Sequence, residues 1–412
     1  MPLDPYFRDM YLARRRDMIA EARGAITGFV ASIVPWRTDA AGPVASSTTP
    51  SKTPRPPKAT MPGADTSAET TGTVGTAASG TAAAGARSPA GQKAAQKSLS
   101  PEEKARRRTP AWKRRNAKKW DTKLYGRVGQ TPPEVEIIDF RVDVPRFPSV
   151  RVRVYRPAGT TGEPLPAVLA FFGGSFQLGG VDYTSVDATF RMRTADARVV
   201  HVAVDYALAP EHRYPTQIEQ GYASLDWLFT TANELGIDRD RIGINGTSSG
   251  GNIAAAVTLV NRDRADHPLR LQILEVPVTD LTGSSVDFAP IREMRIPGFL
   301  ARRELVQVVD AYLGDRARAR QPYASPLHAG NHRGLPPAYI LTSEYDALRR
   351  DGEAYAAALR ASGVEASAVR YQGATHEAAM YTKVVPLARR WHADVVAALA
   401  TLYGSGSHAG RM

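Results

Sequence analysis

The sequence contains no cysteine and no long apolar run. Without cysteine, disulfides, thiolate nucleophiles and cysteine-ligated zinc sites are excluded. Because no stretch of about 18 or more apolar residues occurs, no transmembrane helix is predicted. Apolar residues nevertheless make up 43% of the 412 residues. This fraction is ordinary for a globular protein with a full-sized core.

Acidic residues are scarce at the start of the chain. Residues 1–130 contain 23 Lys and Arg against 10 Asp and Glu, whereas the remainder contains 30 against 31. The net charge of +12 therefore belongs to the N-terminal arm, and the main body is nearly neutral. Nucleic acid is not the expected partner. The alternative, a nucleic-acid module in the basic arm, rests on charge alone.

The N-terminal arm divides into three zones. Apolar residues at helical spacing predict an amphipathic helix within 1–37. Residues 38–100 consist largely of Ala, Thr, Ser, Gly and Pro. Such a segment buries too little apolar surface to offset the entropy of ordering, so it is predicted to be a disordered insertion acting as a flexible linker. Residues 101–133 are predicted to be a basic helical segment, and 405–412 a flexible tail.

Two functional readings of the arm remain open. Residues 101–127 carry 11 Lys and Arg against three acids, with Trp112 and Trp120 on one side of a helix. This pattern fits weak contact with an anionic membrane, or a solvated helix whose aromatics pack on the body. Arg14–Arg16 imitates a twin-arginine export signal, but Glu21 and Arg23 interrupt the apolar stretch that follows. A cytoplasmic location is therefore predicted.

From residue 134 the pattern changes to alternating strands and helices. Period-two alternation in EVEIIDFRVDV and SVRVRVYRP predicts a leading antiparallel hairpin. Six short apolar runs follow, and most are separated by helical segments such as 214–235 and 249–264. This alternation predicts an α/β domain over 134–404, with a mostly parallel eight-stranded sheet covered by helices on both faces.

A G-x-S-x-G sequence centres on Ser248. It follows the predicted strand DRIGIN and precedes the helix GGNIAAAVTLV. A serine on a strand-to-helix turn presents its hydroxyl, and the helix start supplies N–H groups and a positive dipole end. The alternative is a phosphate-binding loop or a simple tight turn.

Gly173, Gly174 and Ser175 come just after the strand AVLAFF. Paired glycines there let backbone N–H groups face a cleft, where they could stabilise an oxyanion. The alternative is an ordinary turn at a strand end.

His376 and Asp346 complete a candidate catalytic set. His376 lies in a polar loop beyond the last predicted strand, and Asp346 lies where AYILTSE gives way to a helix. The order nucleophile, acid, base, with each residue after a different strand, predicts that the three meet in one crevice. A serine hydroxyl needs such a base to become nucleophilic at neutral pH.

Several stretches resemble the hormone-sensitive-lipase-like esterases. They are VDYALAPEHRYP, GTSSGGNIAAA and YASPLHAGNHRGLPPAYILTSEYDALRRDGEAYAAAL, with LDPYFRDM near the terminus. The resemblance implies an α/β-hydrolase fold with a helical cap formed by residues 1–37 and 101–133 of the arm and by residues 282–320, with 38–100 as an insertion between the two parts of the arm. It implies a carboxylesterase with Ser248 as nucleophile, Asp346 as acid and His376 as base. Its oxyanion hole would use the loop 173–175 and the N–H of Ser249.

Three positions depart from the family pattern. Phe172 replaces the histidine that braces the oxyanion loop, Ser175 replaces a third glycine, and Arg350 replaces an aspartate after the acid. Backbone donors survive these changes, so rate and acyl preference are the properties affected. Phe288, Ile296, Phe299 and Leu300 are candidate walls of an acyl pocket.

The predicted function is hydrolysis of small-molecule esters of short to medium acyl chains, without a metal or organic cofactor. Two alternatives are an amide or formamide hydrolase on the same triad, and a non-catalytic ligand receptor of the same fold.

Overall fold

The computed structural model describes residues 3–8, 10, 101–107, 109–160 and 162–404. The predicted linker 38–100, the tail 405–412 and residues 11–37 of the predicted N-terminal helix lie outside these ranges. Near the start, residues 5–8 are helical, and Phe7 is fully buried against Tyr381 with ring centroids 5.1 Å apart. In the described ranges no helix is both long and apolar enough to cross a bilayer.

Eight strands form one sheet, as the apolar runs predicted. They are β1 Glu136–Val144, β2 Phe147–Arg156, β3 Leu165–Phe171, β4 Val200–Asp205, β5 Ile237–Thr247, β6 Leu269–Glu275, β7 Ala338–Tyr345 and β8 Ala366–Thr375. The strand order is β1-β2-β4-β3-β5-β6-β7-β8. Strand β2 is antiparallel to β1 and β4, and every later pairing is parallel. The predicted α/β fold class and leading hairpin are confirmed.

Helices connect the strands and cover the sheet. The α-helices of the described body are α1 Pro101–Arg106, α2 Pro110–Val128, α3 Thr184–Ala197, α4 Thr216–Thr231, α5 Ser249–Arg264, α6 Ala289–Glu293, α7 Gly298–Leu313, α8 Arg349–Ala361 and α9 Pro386–Ala400. Helix α5 is buried along nearly its whole length and packs on β3, β5 and β6. Because α5 packs on these central strands, the position of the turn between β5 and α5 is fixed.

Two apolar clusters pack against the sheet. Successive side chains of a strand point to opposite faces, and at β3 the neighbours Val168 and Leu169 belong to different clusters. The larger cluster includes side chains of α4, α5, α7 and α8, and the smaller one includes side chains of α2 and α9.

Helix α2 has a buried face and an exposed face. Leu124, Tyr125 and Val128 are buried in the body, as a packed helix requires. Trp112 is half-buried, whereas Trp120 is 44% exposed on a surface rich in Lys and Arg. The inner face of α2 is therefore structural, and its outer face is basic.

Candidate active site

The turn between β5 and α5 holds Ser248 in an unusual backbone conformation. Ser248 has φ 55° and ψ −116°, a combination that non-glycine residues rarely adopt. The flanking glycines are required by close packing. A Cβ on Gly246 would lie 2.1 Å from the Gly250 carbonyl oxygen, and one on Gly250 would lie 2.3 Å from that of Phe171. The pattern around Ser248 is therefore a tight strand-to-helix elbow and not a simple turn.

Three predicted residues converge at the carboxyl edge of the parallel strands. Ser248, Asp346 and His376 are each the first residue after their strand, β5, β7 and β8. The Ser248 Oγ lies 3.0 Å from His376 Nε2, and His376 Nδ1 lies 2.7 Å from Asp346 Oδ2. All three are buried or nearly so, with Ser248 6% exposed. The sequence order thus becomes a continuous hydrogen-bonded relay.

Electrostatics favour His376 as a proton acceptor. Burial lowers the pKa of His376, but the adjacent Asp346 carboxylate outweighs burial and raises that pKa above its ordinary value. The second Asp346 oxygen accepts the Leu348 N–H at 2.9 Å, which fixes the carboxylate plane. An imidazole held this way is basic and correctly oriented for the Ser248 hydroxyl.

The glycine loop after β3 lies directly against the serine. A Cβ on Gly173 would be 3.3 Å from the Ser248 Cβ. Gly174 accepts the Gln177 and Leu178 N–H groups at 3.0 and 2.9 Å, and Ser175 has φ 54° in the left-handed region. The first N–H groups of an α-helix have no partner within the helix, so the N–H of Ser249 is available at the same place. This is the setting that an oxyanion hole requires.

Phe172 braces that loop in place of a histidine. Its ring stacks on Tyr206, with centroids 4.2 Å apart and an interplanar angle of 10°. The Tyr206 hydroxyl donates to the Phe172 carbonyl at 2.8 Å. The loop is thus held by a buried aromatic pair and one hydrogen bond.

A clamp from α2, which the sequence did not reveal, reaches the same loop. Arg114 donates to the Gln177 carbonyl at 2.9 Å and to the Ala209 carbonyl at 2.8 Å, and it pairs with Glu211 at 2.6 Å. An arginine in a run of basic residues carries no signal that sets it apart. An open cleft of about 420 Å³ lies beside this clamp, and neither Ser248 nor His376 lines it.

The acid loop is tied to the chain that leads into α6. Arg349 donates to Asp287 Oδ2 at 2.9 and 2.6 Å and to the Glu344 carbonyl at 2.7 Å. Arg350, the third departure, is 63% exposed and lies 3.3 Å from the same Asp287 oxygen. Its charge therefore adds to a bridge that Arg349 already makes.

The candidate pocket walls differ in exposure. Phe288, Ile296 and Leu300 are half-buried, whereas Phe299 is 70% exposed. Within the described ranges, no group of three or more His, Asp or Glu side chains is arranged to hold a metal ion.

The known proteins that this chain resembles include several esterases with an α/β-hydrolase fold. A family described as alpha/beta hydrolase fold matches residues 168–380. Carboxylesterase NlhH of Mycobacterium tuberculosis is 34% identical over 267 residues, which cover 62% of this chain and 79% of that protein. An arylesterase of Saccharolobus solfataricus is 34% identical over 245 residues, covering 59% and 77%. The crystal structure of EstE1, a thermostable carboxylesterase from a metagenomic library, matches with a TM-score of 0.64 and 35% identity over 71% of this chain and 97% of that one.

Proposed function

Since the chain belongs to the α/β-hydrolase family, among its hormone-sensitive-lipase-like esterases, we propose that Ser248, His376 and Asp346 are the triad of a serine carboxylesterase. The observation that carries this assignment is the relay from Ser248 Oγ to Asp346 through His376, with distances of 3.0 and 2.7 Å. Neither the amide hydrolase nor the non-catalytic receptor is favoured, because the carboxylesterases and esterases that the chain resembles match over most of their own length.

The reaction runs through an acyl-enzyme. Ser248 Oγ attacks the ester carbonyl carbon while His376 Nε2 takes the hydroxyl proton. The N–H groups of Gly173, Gly174 and Ser249, with the loop at Ser175, receive the negative oxygen of the tetrahedral intermediate. His376 then gives its proton to the departing alcohol. A water molecule, deprotonated by His376, then attacks the acyl carbon, and the carboxylic acid leaves as His376 returns the proton to Ser248 Oγ. Asp346 stabilises the imidazolium in both halves.

Short to medium acyl esters, of about C2–C8, are the proposed substrates, on the strength of the family resemblance and of the short helices between β6 and β7. The α-helices of the segment between β6 and β7 are the five-residue α6 and the 16-residue α7. Ser248 itself is 6% exposed, so a long chain would need additional space. Because Phe299 is 70% exposed, it is left out of the proposed pocket.

A ladder of p-nitrophenyl esters tests this preference. We expect C4 to be hydrolysed faster than C16 at equal concentration. Ser175→Gly should broaden the acyl preference or raise turnover, because glycine removes a side chain from a left-handed position that glycine adopts without strain. Phe172→His should have a smaller effect, since the Tyr206 bond goes to the backbone. A preference for C16, or loss of activity in Ser175→Gly, would contradict the pocket and loop assigned here.

The outer face of α2 is proposed to make weak contact with anionic membrane, and the protein is proposed to be cytoplasmic. Six basic side chains of α2 are exposed, namely Lys113, Arg115, Lys118, Lys119, Lys123 and Arg127. The only carboxylate of this helix, Asp121, is buried and accepts the Ser185 N–H at 3.1 Å. Clustered Lys and Arg beside an exposed tryptophan are suited to an anionic lipid surface.

Vesicle sedimentation measures this contact. Binding should require phosphatidylserine, weaken with salt, and fall in the triple variant Lys118→Glu, Lys119→Glu, Lys123→Glu. The control is a triple variant with the same change of charge, Arg239→Glu, Arg333→Glu, Arg360→Glu, at exposed positions away from α2. It should bind the vesicles like the unmodified chain. Equal binding to neutral vesicles, or an equal loss of binding in both triple variants, would show that the outer face of α2 is not a specific membrane contact. Tighter, salt-dependent binding to nucleic acid would assign this face to nucleic acid instead.

A further inference from the structure

A charged residue lies directly behind the nucleophile. Glu275 is the last residue of β6, in the run LQILEVPV, where it is the only charged residue, and it is 1% exposed. Its backbone carbonyl accepts the N–H of Ser248 at 2.8 Å. Glu275 is therefore hydrogen-bonded to the strained backbone of Ser248.

The Glu275 carboxylate collects donors from three other elements. Arg193 of α3 forks onto both oxygens, at 2.6 and 2.7 Å, and Trp391 of α9 donates at 2.7 Å. Asn245 and Thr247, at the end of β5, each donate to Oε1 at 3.3 Å. Thr247 immediately precedes Ser248. The carboxylate thus joins α3, α9 and β5 at the point where the chain enters the elbow.

This centre is charged and enclosed. Burial raises the pKa of Glu275, but the Arg193 guanidinium outweighs burial and brings that pKa below its ordinary value. Burial and the same guanidinium lower the pKa of the neighbouring His201 to about 3, so His201 stays neutral and Arg193 supplies the positive charge. Arg193, Trp391 and Asn245 are all at most 3% exposed.

A buried ion pair is a poor device for stability alone, because desolvating two charges offsets most of their attraction. A well-packed apolar pair would serve the core equally well. Directional hydrogen bonds do something that an apolar pair cannot, since they fix angles as well as distances. Ser248 needs such fixed angles. Its backbone lies in a sparsely populated region of φ and ψ, and it stays there only if the surrounding contacts hold it.

We propose that Glu275 is a positioning residue, which holds the elbow so that Ser248 Oγ stays aligned with His376 Nε2. The inference rests on the proposed function of Ser248. Through its backbone carbonyl Glu275 holds the Ser248 N–H, and through its carboxylate it holds the side chain of Thr247 on the other side of the same peptide. Loss of the carboxylate lets the hydroxyl drift from the imidazole, without touching the substrate pocket.

Two double variants separate positioning from packing. Arg193→Met with Glu275→Leu replaces the pair by apolar side chains. Arg193→Met with Glu275→Gln also removes both charges but keeps one oxygen acceptor for Asn245 and Thr247. We expect the first to lower kcat by about 10- to 100-fold with KM within about twofold, because a small displacement of a nucleophile is costly. The second should recover most of that loss.

Fluorophosphonate labelling of Ser248 measures serine reactivity whatever the natural ester is. The labelling rate should fall with kcat in the first double variant, while its thermal midpoint stays near that of the unmodified chain. The control is Arg264→Met with Glu219→Leu, which removes a bidentate pair at the far end of α5, at 2.8 Å, and should label normally. Thr247→Val removes a donor to the Glu275 carboxylate without changing any charge, and its labelling should be slower by about threefold or more. This variant tests the proposal if a double variant fails to fold.

The outcomes are distinguishable. If the unmodified chain neither labels nor hydrolyses esters, the proposed function fails. If it labels, and both double variants and Thr247→Val label at its rate, Glu275 does not position the nucleophile. If the two double variants slow equally and both lose thermal stability, the network serves packing, and the positioning role is likewise overturned.

Discussion

Replacing Ser248 with alanine is expected to lower kcat on a short p-nitrophenyl ester by about 10⁶-fold. The reason is that the covalent intermediate cannot form without the Oγ atom, which in the native chain lies 3.0 Å from His376 Nε2. His376→Ala should be about as severe, since nucleophile and base act as one unit. Steady-state hydrolysis and covalent labelling by a fluorophosphonate measure both losses.

The control for this experiment is Ser367→Ala, an equivalent change at an exposed position of β8. It should leave turnover and labelling unchanged. Circular dichroism and the thermal midpoint verify that Ser248→Ala is folded, which we expect because the elbow already accommodates a small side chain. Ordinary turnover by a folded Ser248→Ala protein would disprove the assignment of the nucleophile.

Asp346→Asn is expected to lower kcat by about 10⁴-fold while changing KM little. The asparagine amide would donate to His376 Nδ1 and hold the imidazole in the wrong tautomer. The carboxylate that stabilises the imidazolium would also be lost. Asp287→Asn is a suitable comparison, because Asp287 is also a buried carboxylate but pairs with Arg349, at the start of α8, instead of His376. Its kcat should fall far less.

The same variant also moves the pH dependence. His376 must be neutral to accept a proton, so kcat/KM should decrease as the pH falls through the His376 pKa. In the native chain Asp346 raises that pKa against the effect of burial. Without this carboxylate, only the smaller influence of Glu377 opposes burial, and the acidic limb of the profile should shift to lower pH. An unchanged limb in Asp346→Asn would mean that another group controls the profile.

The sequence by itself determined most of the fold and the three candidate catalytic residues. Period-two alternation in β1 and β2 and the apolar runs of β3 to β8 reflect local burial, which nearby residues set. Ser248, Asp346 and His376 are each the first residue after a strand, and parallel strands place their carboxyl ends at one edge. Position relative to local elements was therefore sufficient to bring them together.

The tertiary structure alone decided what supports those residues. Arg193 meets Glu275 across 82 positions of sequence, and Arg114 reaches Gln177 across 63. Phe172 finds Tyr206 because β3 and β4 are neighbours in the sheet, although α3 separates them in the chain. A lone glutamate in LQILEVPV signals only that a buried charge needs a partner. Which residue supplies the opposite charge depends on strand order and helix placement, and these arise from packing over the whole domain, which no local pattern encodes.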